Sequence, residues 1–289
     1  MAAHQPLSRR KVLKRTVGTA LAAGATSVLG GAVTSAAAAG PRRVQDVRAF
    51  HGTWLGSYDG RNARLEIVAQ QQPPSTNYTL FLKFIELERN ETYSGYVQNV
   101  PLDAHEVRNI TLTGPSTLIW PTLLQHTWNT DYLSGTSSWN GTGFPMSFSR
   151  STIAPPFVAS RPFRGYGDWY SPPNNHSVYE GNNDGRRAKL EVLKYFVAGK
   201  PQTQFTLTDL DRDTAYAATF LDVDFGSWSM DRQRNPLAGV TMKPFTPGLE
   251  PKYIESLYWH SWNPMYVSGA NIWQGGRYGM SFVRRTPLP

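Results

Sequence analysis

The chain has 289 residues, no cysteine and a formal net charge of +8. The absence of cysteine excludes disulfide scaffolds, thiolate metal sites and cysteine nucleophiles. Five basic residues and no acidic one fall within positions 1–39, so the remainder holds 24 basic against 21 acidic residues, a net charge of +3. No long basic run is left there to support nucleic-acid binding.

Residues 1–39 read as an export address. Ser8-Arg9-Arg10-Lys11-Val12-Leu13-Lys14 resembles the twin-arginine motif, a mild apolar stretch runs from Val17 to Val33, and Ser35-Ala36-Ala37-Ala38-Ala39 suits signal peptidase. The resemblance implies a secreted or extracytoplasmic protein, with the twin-arginine machinery and signal peptidase as partners. Gly18, Gly24, Gly30 and Gly31 weaken the stretch as a permanent anchor, so no stable membrane span is expected after cleavage.

The rest of the chain is duplicated. His126 to Arg150 aligns without a gap to His260 to Arg284, with twelve of twenty-five positions identical. Upstream, Asp59-Gly60-Arg61 through Ile67 aligns with Asp184-Gly185-Arg186 through Val192. Such repetition sets the architecture. The first domain is expected at 46–150, a Pro-rich linker at 151–162, and the second domain at 163–286. No apolar helical period persists. Short alternating runs dominate, such as Ala63, Leu65 and Ile67 between Arg64 and Glu66. Asp59-Gly60 suits a two-residue hairpin turn.

Strands are predicted near 52–58, 62–70, 78–87, 91–99, 106–113, 118–126, 131–139 and 144–150. Eight antiparallel strands in so short a domain predict an all-β chain of two tandem up-and-down barrels, with β-sandwiches as the alternative.

Gly52-Thr53-Trp54 and Gly167-Asp168-Trp169 open the two domains, and Arg150 and Arg284 close them. This pairing resembles the calycin superfamily of lipocalins, fatty-acid-binding proteins and avidins. The resemblance implies that Arg150 covers Trp54, and Arg284 covers Trp169, at one barrel end. It carries no ligand with it.

His126, Trp128 and Tyr132, matched by His260, Trp262 and Tyr266, are the candidate ligand-binding residues. His and Trp two apart on a strand share a face, offering an indole platform beside an imidazole. A small hydrophobic or carbohydrate ligand would suit that face. The competing reading is a structural histidine beside a core tryptophan. No catalytic residue, metal site or cofactor motif is recognised: there is no Gly-x-Ser-x-Gly elbow, His-Glu-x-x-His or phosphate loop. Glu66 and Glu191 alternate with apolar neighbours and are expected at the surface. The sequence therefore favours a non-enzymatic binding protein with one site per barrel. A secreted hydrolase or cyclase-type enzyme and a pocketless structural envelope protein are the alternatives.

Overall fold

The computed structural model describes residues 45–139, 142–152, 176–221, 238–263 and 265–285. The export segment, Trp169 and all of the linker beyond Thr152 lie outside these residues.

The chain forms two closed antiparallel barrels of eight strands each, in simple up-and-down order. The first comprises β1 (Gly52–Tyr58), β2 (Arg61–Gln71), β3 (Tyr78–Glu86), β4 (Glu91–Val100), β5 (Glu106–Thr113), β6 (Thr117–Gln125), β7 (Tyr132–Trp139) and β8 (Thr142–Arg150). The second comprises β9 (His176–Asn183), β10 (Arg186–Val197), β11 (Lys200–Asp209), β12 (Thr214–Leu221), β13 (Val240–Pro244), β14 (Lys252–Trp259), β15 (Tyr266–Trp273) and β16 (Gly276–Arg284). Pairing of β1 with β8, and of β9 with β16, closes each sheet and leaves no free edge. Among the described residues no helix is long and apolar enough to cross a membrane.

Alternation fixes which side chains face inward. On β2, Ala63, Leu65 and Ile67 are buried, while Arg64 and Glu66 point outward, where they pair with each other at 2.9 Å. On β10, Ala188, Leu190 and Val192 repeat the pattern. Each barrel thereby encloses its own apolar core.

One end of the first barrel is sealed by a short 3-10 turn, Val47–Phe50, and by Trp54. The indole Nε1 donates to the Phe50 carbonyl at 3.0 Å. Arg150 lies over the ring, 4.3 Å from guanidinium carbon to centroid, and donates to the carbonyls of His51 and Ala49. The guanidinium thus combines an aromatic contact with satisfaction of loop carbonyls.

In the second barrel the expected partner of Arg284, Trp169, lies outside the described residues. Arg284 stands opposite Tyr179 in the strand register, with its guanidinium 5.9 Å from that ring, and it donates to Ser177 Oγ. Tyr179, not Trp169, is therefore the register equivalent of Trp54. The sequence reading took the next Gly-x-Trp in the chain, whereas the Asp59/Asp184 alignment counts back to Tyr179. Trp259 Nε1 donates to the Tyr179 hydroxyl at 3.3 Å and completes this seal.

Candidate functional site

The repeated His-x-Trp-Asn segments follow β6 and β14 and lie where the two barrels meet. Each holds the first hairpin turn of the other barrel. Thr127 donates to Asp184 through its backbone N at 2.5 Å and its hydroxyl at 2.7 Å, and Trp128 N donates to the Asp184 carbonyl at 3.1 Å. Reciprocally, Ser261 N donates to Asp59 Oδ1 at 2.7 Å, Ser261 Oγ donates to Asp59 Oδ2, and Trp262 N donates to the Asp59 carbonyl at 2.9 Å. The arrangement is a pseudo-two-fold clasp within one chain.

The Asp-Gly turns are built for this contact. Asp59 and Gly60, like Asp184 and Gly185, all have positive φ, as a type I′ hairpin requires. A Cβ on Gly60 would lie 2.2 Å from the backbone N of Asn263, and one on Gly185 would lie 2.4 Å from that of Asn129. Both glycines thus serve turn geometry and close approach together.

His126 and His260 are fully buried in this seam. His126 Nε2 bonds Ser134 Oγ at 3.2 Å, and His260 bonds Ser268 Oγ through Nε2 at 2.9 Å and Ser57 Oγ through Nδ1 at 3.0 Å. Burial pushes both imidazoles down to about 3, with the Asn182 amide acting weakly the other way on His126. They are neutral at ordinary pH. Tyr132 and Tyr266 pack tilted against them, with centroids 6.1 and 5.6 Å apart. A cleft of about 250 Å3 does open along the seam, lined by Leu124, Thr136, Glu255, Tyr258 and Arg277 among others. Neither histidine lines it. His260 instead bonds across the seam to Ser57, His126 lies against Gly279 of the second barrel, and Tyr132 and Tyr266 pack on these imidazoles. β6 and β14 end one residue before each histidine, so strand alternation does not govern where its ring points.

The tryptophans behave otherwise. Trp262 is about half exposed, with Arg61 5.1 Å from its ring. Trp128 reaches across from the first barrel to the turn end of the second, where Arg186 and Arg212 lie 4.8 and 5.2 Å from its ring.

Beneath Trp128 is a small cavity of about 30 Å3, lined also by Asn183, Asp184, Arg186, Lys252, Asn271, Trp273 and Tyr278. This volume holds roughly two water molecules. Arg186 Nε pairs with Asp209 at 2.8 Å, and both side chains are almost wholly buried. Asn271 Nδ2 donates to Asn183 Oδ1 at 2.7 Å, and at 3.4 Å to the carbonyl of Tyr278. A carbonyl can only accept, so it fixes the orientation of the Asn271 amide, and through it that of Asn183. Asn183 Nδ2 and Arg186 Nη1 are left buried without a hydrogen-bond partner among the described residues.

Lys252 shares this cavity and is only 6 % exposed. Its ammonium sits 4.9 Å from the Tyr216 ring and has no carboxylate or hydrogen-bond partner among the described residues. Burial, reinforced by Arg186 and Arg212, lowers it to about 8. Burial raises Asp184 above the usual carboxylate range, although Thr127 and Arg186 oppose the shift. Among the described residues no group of three or more His, Asp or Glu is placed to hold a metal ion.

Sequence reasoning singled out Trp128 but missed Lys252, Asn183, Asn271 and Arg186. The available signal was a difference between the copies. At the matching positions the first barrel has Leu118, Tyr58 and Ser137, and Lys252 lies in an alternating run whose inward neighbour is Ile254.

No family model and no curated protein matches the chain at a significant level. Among solved structures, kievitone hydratase from Nectria haematococca aligns over 83% of this chain and 90% of its own, at 8% identity and a TM-score of 0.21. That similarity is too low to transfer fold or activity. What the chain itself defines is an all-β protein of two clasped, tandem, antiparallel barrels with a polar cavity in one of them.

Proposed function

We propose that the chain is an exported, calycin-like protein that binds one small molecule at the turn end of its second barrel. The first barrel is its brace and supplies Trp128 as the lid. The observation that carries this reading is the pair of buried donors at one cavity, Arg186 Nη1 and Asn183 Nδ2, both without a hydrogen-bond partner among the described residues, beside the almost wholly buried Lys252. Leaving buried donors unsatisfied costs about 1–3 kcal/mol each, so such groups in one cavity favour a ligand that completes them. One site per chain replaces the expected site per barrel, because aromatic side chains occupy the corresponding space in the first barrel. The Trp54–Arg150 and Tyr179–Arg284 seals support the calycin-like assignment, and the Arg9-Arg10 segment supports export.

One observation favours an enzyme as the second reading. A buried amine lowered to about 8 can exchange a proton near neutral pH, as a general acid or base must. A thermal-shift and tryptophan-fluorescence screen of small polar metabolites tests the binding reading. Hits should shift the unfolding of the native chain and lose their effect in Trp128→Ala and Lys252→Met together. Hits that persist in both variants would remove the second-barrel site.

A further inference from the structure

The chemistry of the unsatisfied groups identifies the ligand class, given the reading that the second-barrel cavity is a binding site. We infer that the cavity takes a carboxylate: a small organic acid whose anionic head meets Lys252 Nζ, Arg186 Nη1 and Asn183 Nδ2 beneath Trp128.

Three observations converge. First, the buried polar atoms left without a partner at the cavity, Asn183 Nδ2 and Arg186 Nη1, are both donors. The Asn183 acceptor is already taken by Asn271, whose orientation the Tyr278 carbonyl fixes. A ligand that fits must therefore bring acceptors, and one that brought donors would leave these groups unpaired. Second, the local charges do not cancel. Arg186, Lys252 and Arg212 face Asp184 and Asp209. Asp209 is engaged by Arg186, and Asp184 accepts from Thr127. One positive charge is left over, which matches a monoanion better than a phosphate dianion. Third, the cavity is small, about 30 Å3. It admits a head group of about three heavy atoms, and the body of the acid must extend outside it.

The site is completed across the clasp. Trp128 belongs to the first barrel, while every donor belongs to the second. The same residue that anchors its backbone to Asp184 lays its ring over Arg186.

Isothermal titration of the full chain tests the inference with acetate and benzoate, their amides, and inorganic phosphate. At least one of the two acids is expected to bind with one molecule per chain, with the matching amide weaker by about tenfold or more, the size of a lost charge-assisted hydrogen bond. Lys252→Met should weaken the acid by at least as much. The isosteric Asn183→Asp adds a repelling charge without changing volume and should do the same, which keeps the test decisive if Lys252→Met does not fold. Amide binding equal to acid binding, or phosphate binding tighter than either acid, overturns the carboxylate and leaves the small-molecule reading standing. Acid binding undiminished in both variants overturns the carboxylate site. No binding by either acid, with a different hit from the wider screen sensitive to Trp128→Ala, also overturns the inference alone. Failure of every compound in that screen removes the binding reading itself.

Discussion

The two barrels keep the same ion pair at the same place and surround it with opposite interiors. In the first, Arg61 pairs with Glu86 at 2.9 Å. Phe84 packs there against Tyr58, Tyr93 and Trp120, with centroids 5.1, 5.9 and 5.2 Å away, and the Tyr58 hydroxyl bonds Ser137 at 3.0 Å. In the second, Arg186 pairs with Asp209, but Tyr58, Leu118 and Ser137 give way to Asn183, Lys252 and Asn271. A plug becomes a polar cavity. Retained residues make the clasp and also supply Trp128 and Arg186 to the cavity, while divergence at Asn183, Lys252 and Asn271 marks the candidate site.

The largest expected effect would break the clasp that makes the barrels comparable. Asp184→Ala and Asp59→Ala each remove a buried carboxylate that accepts two hydrogen bonds from the opposite barrel. Each should cost about 3–5 kcal/mol in urea unfolding, the range for breaking a buried charged network by removing one partner. Near-equal losses would sustain the pseudo-two-fold reading. A loss confined to one variant would show that the clasp works in one direction only.

Acid comes next. His126 and His260 titrate near 3 in the native chain and near 6.5 when unfolded. Between those values the unfolded state binds more protons, so stability falls as pH drops from about 6.5 toward 3. Linkage gives roughly 2–3 kcal/mol per histidine lost by pH 4.5. The raised Asp184 acts in the opposite direction. A double His→Gln variant should show a flatter stability profile over this window. An unchanged profile would mean that the seam opens before the histidines titrate.

The sealed ends should differ more modestly. Arg150→Ala loses a ring contact at 4.3 Å and bonds to two loop carbonyls and should cost about 1–3 kcal/mol. Coupling to Trp54 should appear in a double-mutant cycle. Arg284 lies farther from Tyr179, so the matching cycle should show weaker coupling. Equal coupling in both cycles would remove this distinction.

The smallest change is expected from Lys252→Met, which should be neutral or stabilising by about 1–2 kcal/mol, since an apolar side chain replaces an unpaired buried charge. Native Lys252 titrates near 8, below its unfolded value, so the stability of the parent chain should rise as pH climbs from about 8 to 10.5. The variant should lack that rise. Clear destabilisation by Lys252→Met would mean that the amine holds the barrel together and is not kept for a ligand.

Strand alternation, the Asp-Gly turns and the ungapped repeat were enough to read two eight-stranded barrels from the sequence. Those features are local: a period of two and a pair of positive-φ residues specify a hairpin whatever surrounds it. The Trp54–Arg150 pair was legible too, because both residues sit at strand positions the pattern had already fixed. What tertiary structure alone decided is where the conserved His-x-Trp-Asn segments point. They leave the ends of β6 and β14, where alternation stops, and their partners Asp184 and Asp59 lie 57 and 202 residues away in the chain. Burial of the two imidazoles, and the meeting of Trp128 with Lys252 across two domains, follow from that packing. No spacing in one copy encodes them, because the energy that selects them exists only when both barrels are present.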